Sequence, residues 1–317
     1  MTLKLPPLDA RFPRWDFAKL IARNCPICES SQQTIACERP DGLSVRGCHT
    51  CHTFYVSPSP SHEQLIDFYS RYDDEHRRDC LVSAKELAVS YENSDPFLDI
   101  RIRELASYID LSQARVLDVG FGRASFLFCL KKLGAVPYGL EVDTRAIEYA
   151  KSLGILNVFP TSLDDYVSDI KFDVITMLDL IEHPFAPMKM LQKASDLLRP
   201  GGLLLIWTPN GESVRFDGKQ VAFRVDLEHM QYLTAESCLF IADRLNLRIL
   251  HLETLGFPDL SDIDKPFRKR HTGAVKKTIR SMPGFSTLNR IRRTLFVEKP
   301  DERRGLYHLF VIMQKSD

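Results

Sequence analysis

Between Ala114 and Pro209 the chain changes its hydrophobic period repeatedly, and this alternation constrains the fold more than any other feature. The runs "ARVLDVG", "VPYGLEVD", "ILNVFP", "KFDVITML" and "GGLLLIWTP" have the length and continuity of buried parallel strands. Between them, "RASFLFCLKKLG", "TRAIEYAKSLG" and "PFAPMKMLQKASDLLRPGG" space their apolar residues as helices do. Thr144 is the expected N-cap of the second helix, and Gly134 and Gly154 are the expected stops of the first two. A fourth helix, "TAESCLFIADRLN", takes Thr234 as its cap and precedes the strand "LRILHLETLG". The final "GLYHLFVIMQK" alternates as a closing strand. Seven strands interleaved with helices predict an α/β fold with a seven-stranded, Rossmann-like, doubly wound sheet.

A second constraint precedes this core. Cys48-His49-Thr50-Cys51-His52 read alone has the spacing of a haem attachment, of a thiol redox pair, or of half a zinc site. Cys25-Pro26-Ile27-Cys28 lies 19 residues upstream, and C-x2-C-x19-C-x2-C is the spacing of a four-thiolate zinc ribbon. Pro40-Asp41-Gly42 supplies the hairpin turn that brings the two pairs together. Four thiolates leave no open position on Zn2+, so the metal is expected to be structural, held by Cys25, Cys28, Cys48 and Cys51. His49, His52 and Cys37 are the alternative ligands nearby.

Lys plus Arg and Asp plus Glu both number 42, which gives no general signature of nucleic-acid binding. The first 17 residues lack the apolar core of a signal peptide, and the longest apolar run, Gly202 to Trp207, is too short to span a membrane. A cytoplasmic location with reduced thiols is expected, which weighs against the haem reading.

The first strand–helix turn reads Asp118-Val119-Gly120-Phe121-Gly122-Arg123-Ala124-Ser125, and Glu141 ends the second strand 21 residues after Gly120. Ser125 stands where the dinucleotide fingerprint requires its third glycine. An acidic residue at the second strand serves the ribose of NAD and of S-adenosylmethionine alike.

"VLDVGFGRASF", "GLEVD", "FDVITMLDLIEH", "LLRPGGLLLIWTPN" and "EHMQYLT", in this order, make the chain resemble the class I S-adenosylmethionine-dependent methyltransferases. The resemblance implies that Asp118, Gly120 and Gly122 cradle the methionine part of the cofactor and that Glu141 binds its ribose. Asp164, beside Asp165, is the implied partner of the adenine amino group, and Asp179 joins the cofactor-contacting set. Ala124 departs from the family, which often has a third glycine there. "LDLIEHPFAPMKML" and "TPN" resemble the branch of ubiquinone-biosynthesis O-methyltransferases and of natural-product and polysaccharide methyltransferases. Members of that branch also carry a "CPIC" ribbon that leads through a helical linker into the catalytic domain.

The implied organisation is an N-terminal arm (1–24), the zinc ribbon (25–60), a helical linker (61–111) and the methyltransferase domain (112–317). The last contains a basic insertion at about 257–305. Residues 265–297 hold ten Lys or Arg and no Asp or Glu, interleaved with apolar residues. This stretch is read either as a solvated excursion or as a lid favouring an anionic acceptor, with contact to a membrane surface or RNA as further readings.

Methyl transfer from a sulfonium needs placement of the reactants, and a base where the nucleophile is a hydroxyl. His183, in the turn after the fourth strand, and His229 are the base candidates. The expected activity is O-methylation of a small-molecule, saccharide or carrier-linked intermediate. The alternatives are an RNA methyltransferase with a zinc module and a cofactor-binding partner without turnover. Leu178-Asp179-Leu180-Ile181 stands where methylation of base amino groups calls for N/D-P-P-Y, which makes a nucleic-acid acceptor the lesser reading.

Overall fold

Residues 4, 13–70, 92–212, 221–224, 226–255 and 307–316 are described by the computed structural model. The basic stretch 257–305 lies outside the described residues, as does the middle of the linker. The N-terminal region begins with three strands, β1 (Gln33–Glu38), β2 (Ser44–Cys48) and β3 (Phe54–Val56), each antiparallel to the next. The β1–β2 turn passes through Gly42 at φ +83°, a conformation that favours glycine. Helix α1 (His62–Ser70) follows, and α2 (Ile100–Leu105) leads into the large sheet.

That sheet is built from β4 (Arg115–Val119), β5 (Val136–Leu140), β6 (Asn157–Phe159), β7 (Phe172–Leu178) and β8 (Leu198–Pro209). Helices α3 (Ser125–Lys132), α4 (Thr144–Ser152) and α5 (Pro187–Leu197) alternate with them. A two-residue strand β9 (Gln231–Tyr232), helix α6 (Ala235–Arg244) and strands β10 (Leu247–Leu255) and β11 (His308–Lys315) complete the chain. The spatial order is β10-β11-β8-β7-β4-β5-β6. The five strands β4 to β8 pair in parallel, whereas β11 runs antiparallel to both β8 and β10. The seven expected strands all lie in this one sheet.

Alternation along the strands divides the interior into two layers. Leu204 and Ile206 of β8, with Leu309, Val311 and Met313 of β11, face a core filled by α5 and α6. Leu203, Leu205, Phe310 and Ile312 face the other, filled by α2, α3 and α4. Each layer removes a continuous apolar face from water, which is the main favourable term of folding.

Two local features differ from expectation. Helix α4 is capped by Asp143, whose side chain accepts from the Arg145 amide, and Thr144 is its first helical residue. Asp and Thr are both good caps, and the adjacent pair allowed either frame. Strand β9 joins β3, so the N-terminal sheet is four-stranded, in the order β1-β2-β3-β9. Two residues are too few to show a period. No described helix is long and apolar enough to cross a membrane.

Candidate active site

Strand order reverses between β4 and β7, and ligands of such sheets sit outside the carboxyl ends of the strands at that point. Asp118, near the end of β4, is 2% exposed and accepts a 2.6 Å hydrogen bond from Thr176 Oγ1 of β7. Burial pushes its carboxyl up to about 7, against the pull of Thr176 and Arg101. The chain then turns through Gly120 (φ +71°), whose amide donates to Leu140 O at 2.8 Å. A Cβ at Gly120 would stand 3.1 Å from Leu180 Cδ1.

Gly122 also holds a positive φ, +52°, but a Cβ there would meet no atom within 4 Å, so the loop faces open space. Its amide donates to Glu141 Oε2 at 3.0 Å. Glu141 Oε1 accepts from the amides of Val142 (2.7 Å) and Asp143 (3.2 Å). The acid at the end of β5 is thereby fixed against the glycine turn at the end of β4.

Asp179 follows β7 at φ +50°, with its amide bonded to Trp207 O at 2.7 Å. Burial raises its carboxyl to about 6, opposed by the charge of Arg101. The sequence reading did not single out Arg101, on α2. Its guanidinium is held by Asp99 (2.7 Å to Oδ2), lies 5.3 Å from the Phe126 ring centre and 5.5 Å from that of Trp207, and faces Asp118 and Asp179 electrostatically. An isolated arginine in a linker carries no spacing signal, and only the packing of α2 against the sheet brings it to this edge.

Asp164, which follows β6, is exposed. Its carboxylate pairs with Lys189 Nζ of α5 at 3.2 Å. The neighbouring Asp165 accepts from Ser162 Oγ at 2.7 Å.

The other side of the site gathers the two histidines. The His183 and His229 rings lie 4.8 Å apart, edge to face. His183 Nδ1 shares a 2.6 Å hydrogen bond with Tyr69 Oη of α1. Burial lowers the pKa of His183, and nearby Glu228 partly opposes this. His229 is 6% exposed and its pKa is driven well below the usual range, by burial first and then by His183 and Arg39. Both imidazoles are therefore neutral near pH 7. Glu182, His183 and His229 bring one polar atom each within 4.8 Å of one another. His229 Nδ1 and Glu182 Oε1 are buried without a hydrogen-bond partner among the described residues, and the other Glu182 oxygen accepts from Thr208 Oγ1 at 2.8 Å.

The four cysteines of the two pairs converge. Cys25 and Cys51 sulfurs are 3.5 Å apart, those of Cys28 and Cys48 3.4 Å, and all four lie within 4.8 Å. Tetrahedral Zn–thiolate geometry needs sulfurs roughly 3.8 Å apart, so the donor set fits such an ion. Cys37 is buried in a different cluster, and His49 bonds Thr34 Oγ1 at 3.2 Å. His52 and Glu29, each directly after the second cysteine of a pair, both hold left-handed φ values of 59° and 61°. They occupy equivalent places in the two knuckles, and His52 is exposed outside the thiolate group.

Residues 61–252 match the family profile described as a methyltransferase domain. Over 117 residues the chain is 30% identical to a ubiquinone biosynthesis O-methyltransferase of Coxiella burnetii, covering 35% of this chain and 50% of the relative. Over 107 residues it is 31% identical to the Actinobacillus pleuropneumoniae protein of the same name, covering 30% and 46%. The chain thus spans about half the length of the curated relatives it matches. A solved S-adenosylmethionine-dependent methyltransferase from Archaeoglobus fulgidus is 20% identical, with TM-score 0.48, over 78% of this chain and 100% of that one. The 1,6-didemethyltoxoflavin-N1-methyltransferase of Burkholderia thailandensis is 12% identical, with TM-score 0.49, over 90% and 100%.

Proposed function

The chain belongs to the methyltransferase-domain family, with the class I S-adenosylmethionine-dependent fold, and from this premise we propose that it O-methylates a small-molecule acceptor. The observation that carries the reading is the fixed group Asp118, Gly120, Gly122 and Glu141 at the reversal of strand order, facing open space at Gly122. Bound there, S-adenosylmethionine would supply an activated methyl on a sulfonium. Glu141 has the placement to hold the ribose, and the turn from Gly120 to Gly122 to pass close under the methionine part. Asp118 anchors that turn from below. Arg101, a cation among aromatic faces and acidic neighbours, suits a carboxylate, with Asp179 beside it for the amino group. Asp164, which pairs with Lys189, remains the proposed partner of the adenine amino group.

His229 is the proposed base. Its neutral imidazole presents a buried nitrogen with no hydrogen-bond partner among the described residues, and an acceptor hydroxyl donating to Nδ1 would supply one. Glu182 Oε1, also unpartnered and pushed towards its protonated form by burial, suits a second acceptor oxygen. His183 is committed to Tyr69 and reads as the group that orients the acceptor. The names of the curated relatives support oxygen as the methylated atom. A carrier-linked or anionic acceptor would follow from the basic stretch 257–305. The reduced thiolates of the proposed zinc ribbon suit the cytoplasm.

The test is calorimetric binding of S-adenosylhomocysteine, followed by transfer of labelled methyl, in parallel, to a small-molecule extract and to total RNA. Glu141→Ala should weaken binding about 10- to 100-fold, the worth of charge-assisted hydrogen bonds. Unchanged affinity would remove the ribose assignment, and label entering only RNA would overturn the acceptor class.

A further inference from the structure

The loops carrying His183 and His229 are far apart in sequence, yet both are fastened to the N-terminal region by two arginines, Arg39 buried and Arg23 half-buried. Arg39, directly after β1, is 0% exposed. Its Nη1 donates to His229 O at 2.6 Å and to Tyr232 Oη at 3.1 Å, and its Nη2 bonds Leu227 O. Asp41 neutralises it and in turn accepts from Trp15 Nε1 at 3.1 Å. Arg23, two residues before Cys25, reaches both loops: Nη2 donates to Met230 O at 2.7 Å and Nη1 to Phe185 O at 3.2 Å, while Nε holds Val56 O of β3 at 3.0 Å. The two loops are also laced to each other. Met230 N donates to Glu182 O at 2.8 Å, and Gln231 Nε2 donates to Ile181 O (2.7 Å) and Pro184 O (2.8 Å).

Carbonyls on either side of both imidazoles are thus accounted for by planar, multi-donor side chains, which fix direction as well as distance. Burying the Arg39 guanidinium and half-burying that of Arg23 is costly, and apolar side chains of similar size would serve packing alone at least as well. What a guanidinium adds is a defined geometry for the carbonyls it binds.

The structure assigns Arg23 and Arg39 as positioning residues: through the carbonyls of the two loops they set the spacing and orientation of the His183 and His229 imidazoles. The assignment rests on the reading of those imidazoles as acceptor-side groups of a methyltransferase. It makes the N-terminal region a wall of the acceptor site, in addition to any role in bracing the chain's start.

The test uses the full chain labelled with 15N-histidine and saturated with S-adenosylhomocysteine, with imidazole signals assigned through His183→Asn and His229→Asn. Arg39→Met should shift or broaden the His229 ring signals while cofactor affinity stays that of the parent. Arg23→Met, touching both loops, should move His183 and His229 together. Tyr232→Phe, which removes one acceptor of Arg39 without touching its charge, should move His229 in the same direction by less. It decides the matter if Arg39→Met does not fold. Ring signals of folded Arg39→Met or Tyr232→Phe coincident with the parent would overturn the assignment. Failure of the parent to bind S-adenosylhomocysteine would instead strike the methyltransferase reading and leave the imidazole comparison interpretable.

Discussion

Ala124 holds a φ of +56° at the start of α3, fully buried and without a side-chain cap. That conformation costs a residue with a Cβ about 1–2 kcal/mol. Ala124→Gly is therefore expected to raise the unfolding free energy by about 1 kcal/mol, read as a higher urea midpoint at unchanged slope. A lower midpoint would mean that the packing of the methyl group outweighs the backbone strain. Asp118 carries a pH signature. Its pKa rises from 3.8 to about 7 on folding, so between those values the native state keeps a proton that the unfolded chain releases. Its contribution to stability is thus present below 3.8 and lost as pH rises towards 7. Asp118→Asn should abolish that loss, so that the difference in stability between variant and parent grows from pH 4 to pH 7. A flat difference would refute the buried, protonated carboxyl. The sequence marks Asp118, Gly120, Gly122 and Glu141 because local spacing dictates them. The ion pair of Asp164 with Lys189 carries no such mark, since Lys189 comes from a helix that local spacing cannot relate to it.

At the level of elements, the two cysteine pairs bring the loop before β1 and the end of β2 to one point. We expect about one zinc per purified chain, lost in Cys48→Ser. Such sites contribute on the order of 10 kcal/mol to folding. Amide protection in β1 and β2 should therefore collapse on metal removal, with a smaller loss in β9, which pairs with β3. Hydrogen exchange measures this, and protection unaltered after zinc is stripped would refute it. The cysteine spacing is plain in the sequence because ligand geometry is local to each knuckle. Strand β9 is hidden because only its partner defines it. The cap of α4 falls one residue from the expected place because Asp143 and Thr144 can both serve.

Across the whole molecule, the number of strands follows from the alternation of period, while their order follows from which faces must be covered. The ribbon's share in the core is the part that no motif reveals. Cys25, Ile27, Cys48, Cys51 and Tyr55 belong to the same apolar layer as α5 and α6, and Thr53 Oγ1 meets Ser237 Oγ of α6 at 2.8 Å. Arg101 likewise comes to face Asp118 and Asp179 only through tertiary packing.

The rung Leu255↔His308 joins the ends of β10 and β11 directly. The two strands are therefore in register up to the last described residue of β10 and from the first residue of β11. Doubling the length of such a connection costs only about 0.6 kcal/mol in closure entropy. A change in the number of residues between Leu255 and His308 is therefore expected to leave the register of β10 and β11 intact, which hydrogen exchange in the two strands would check.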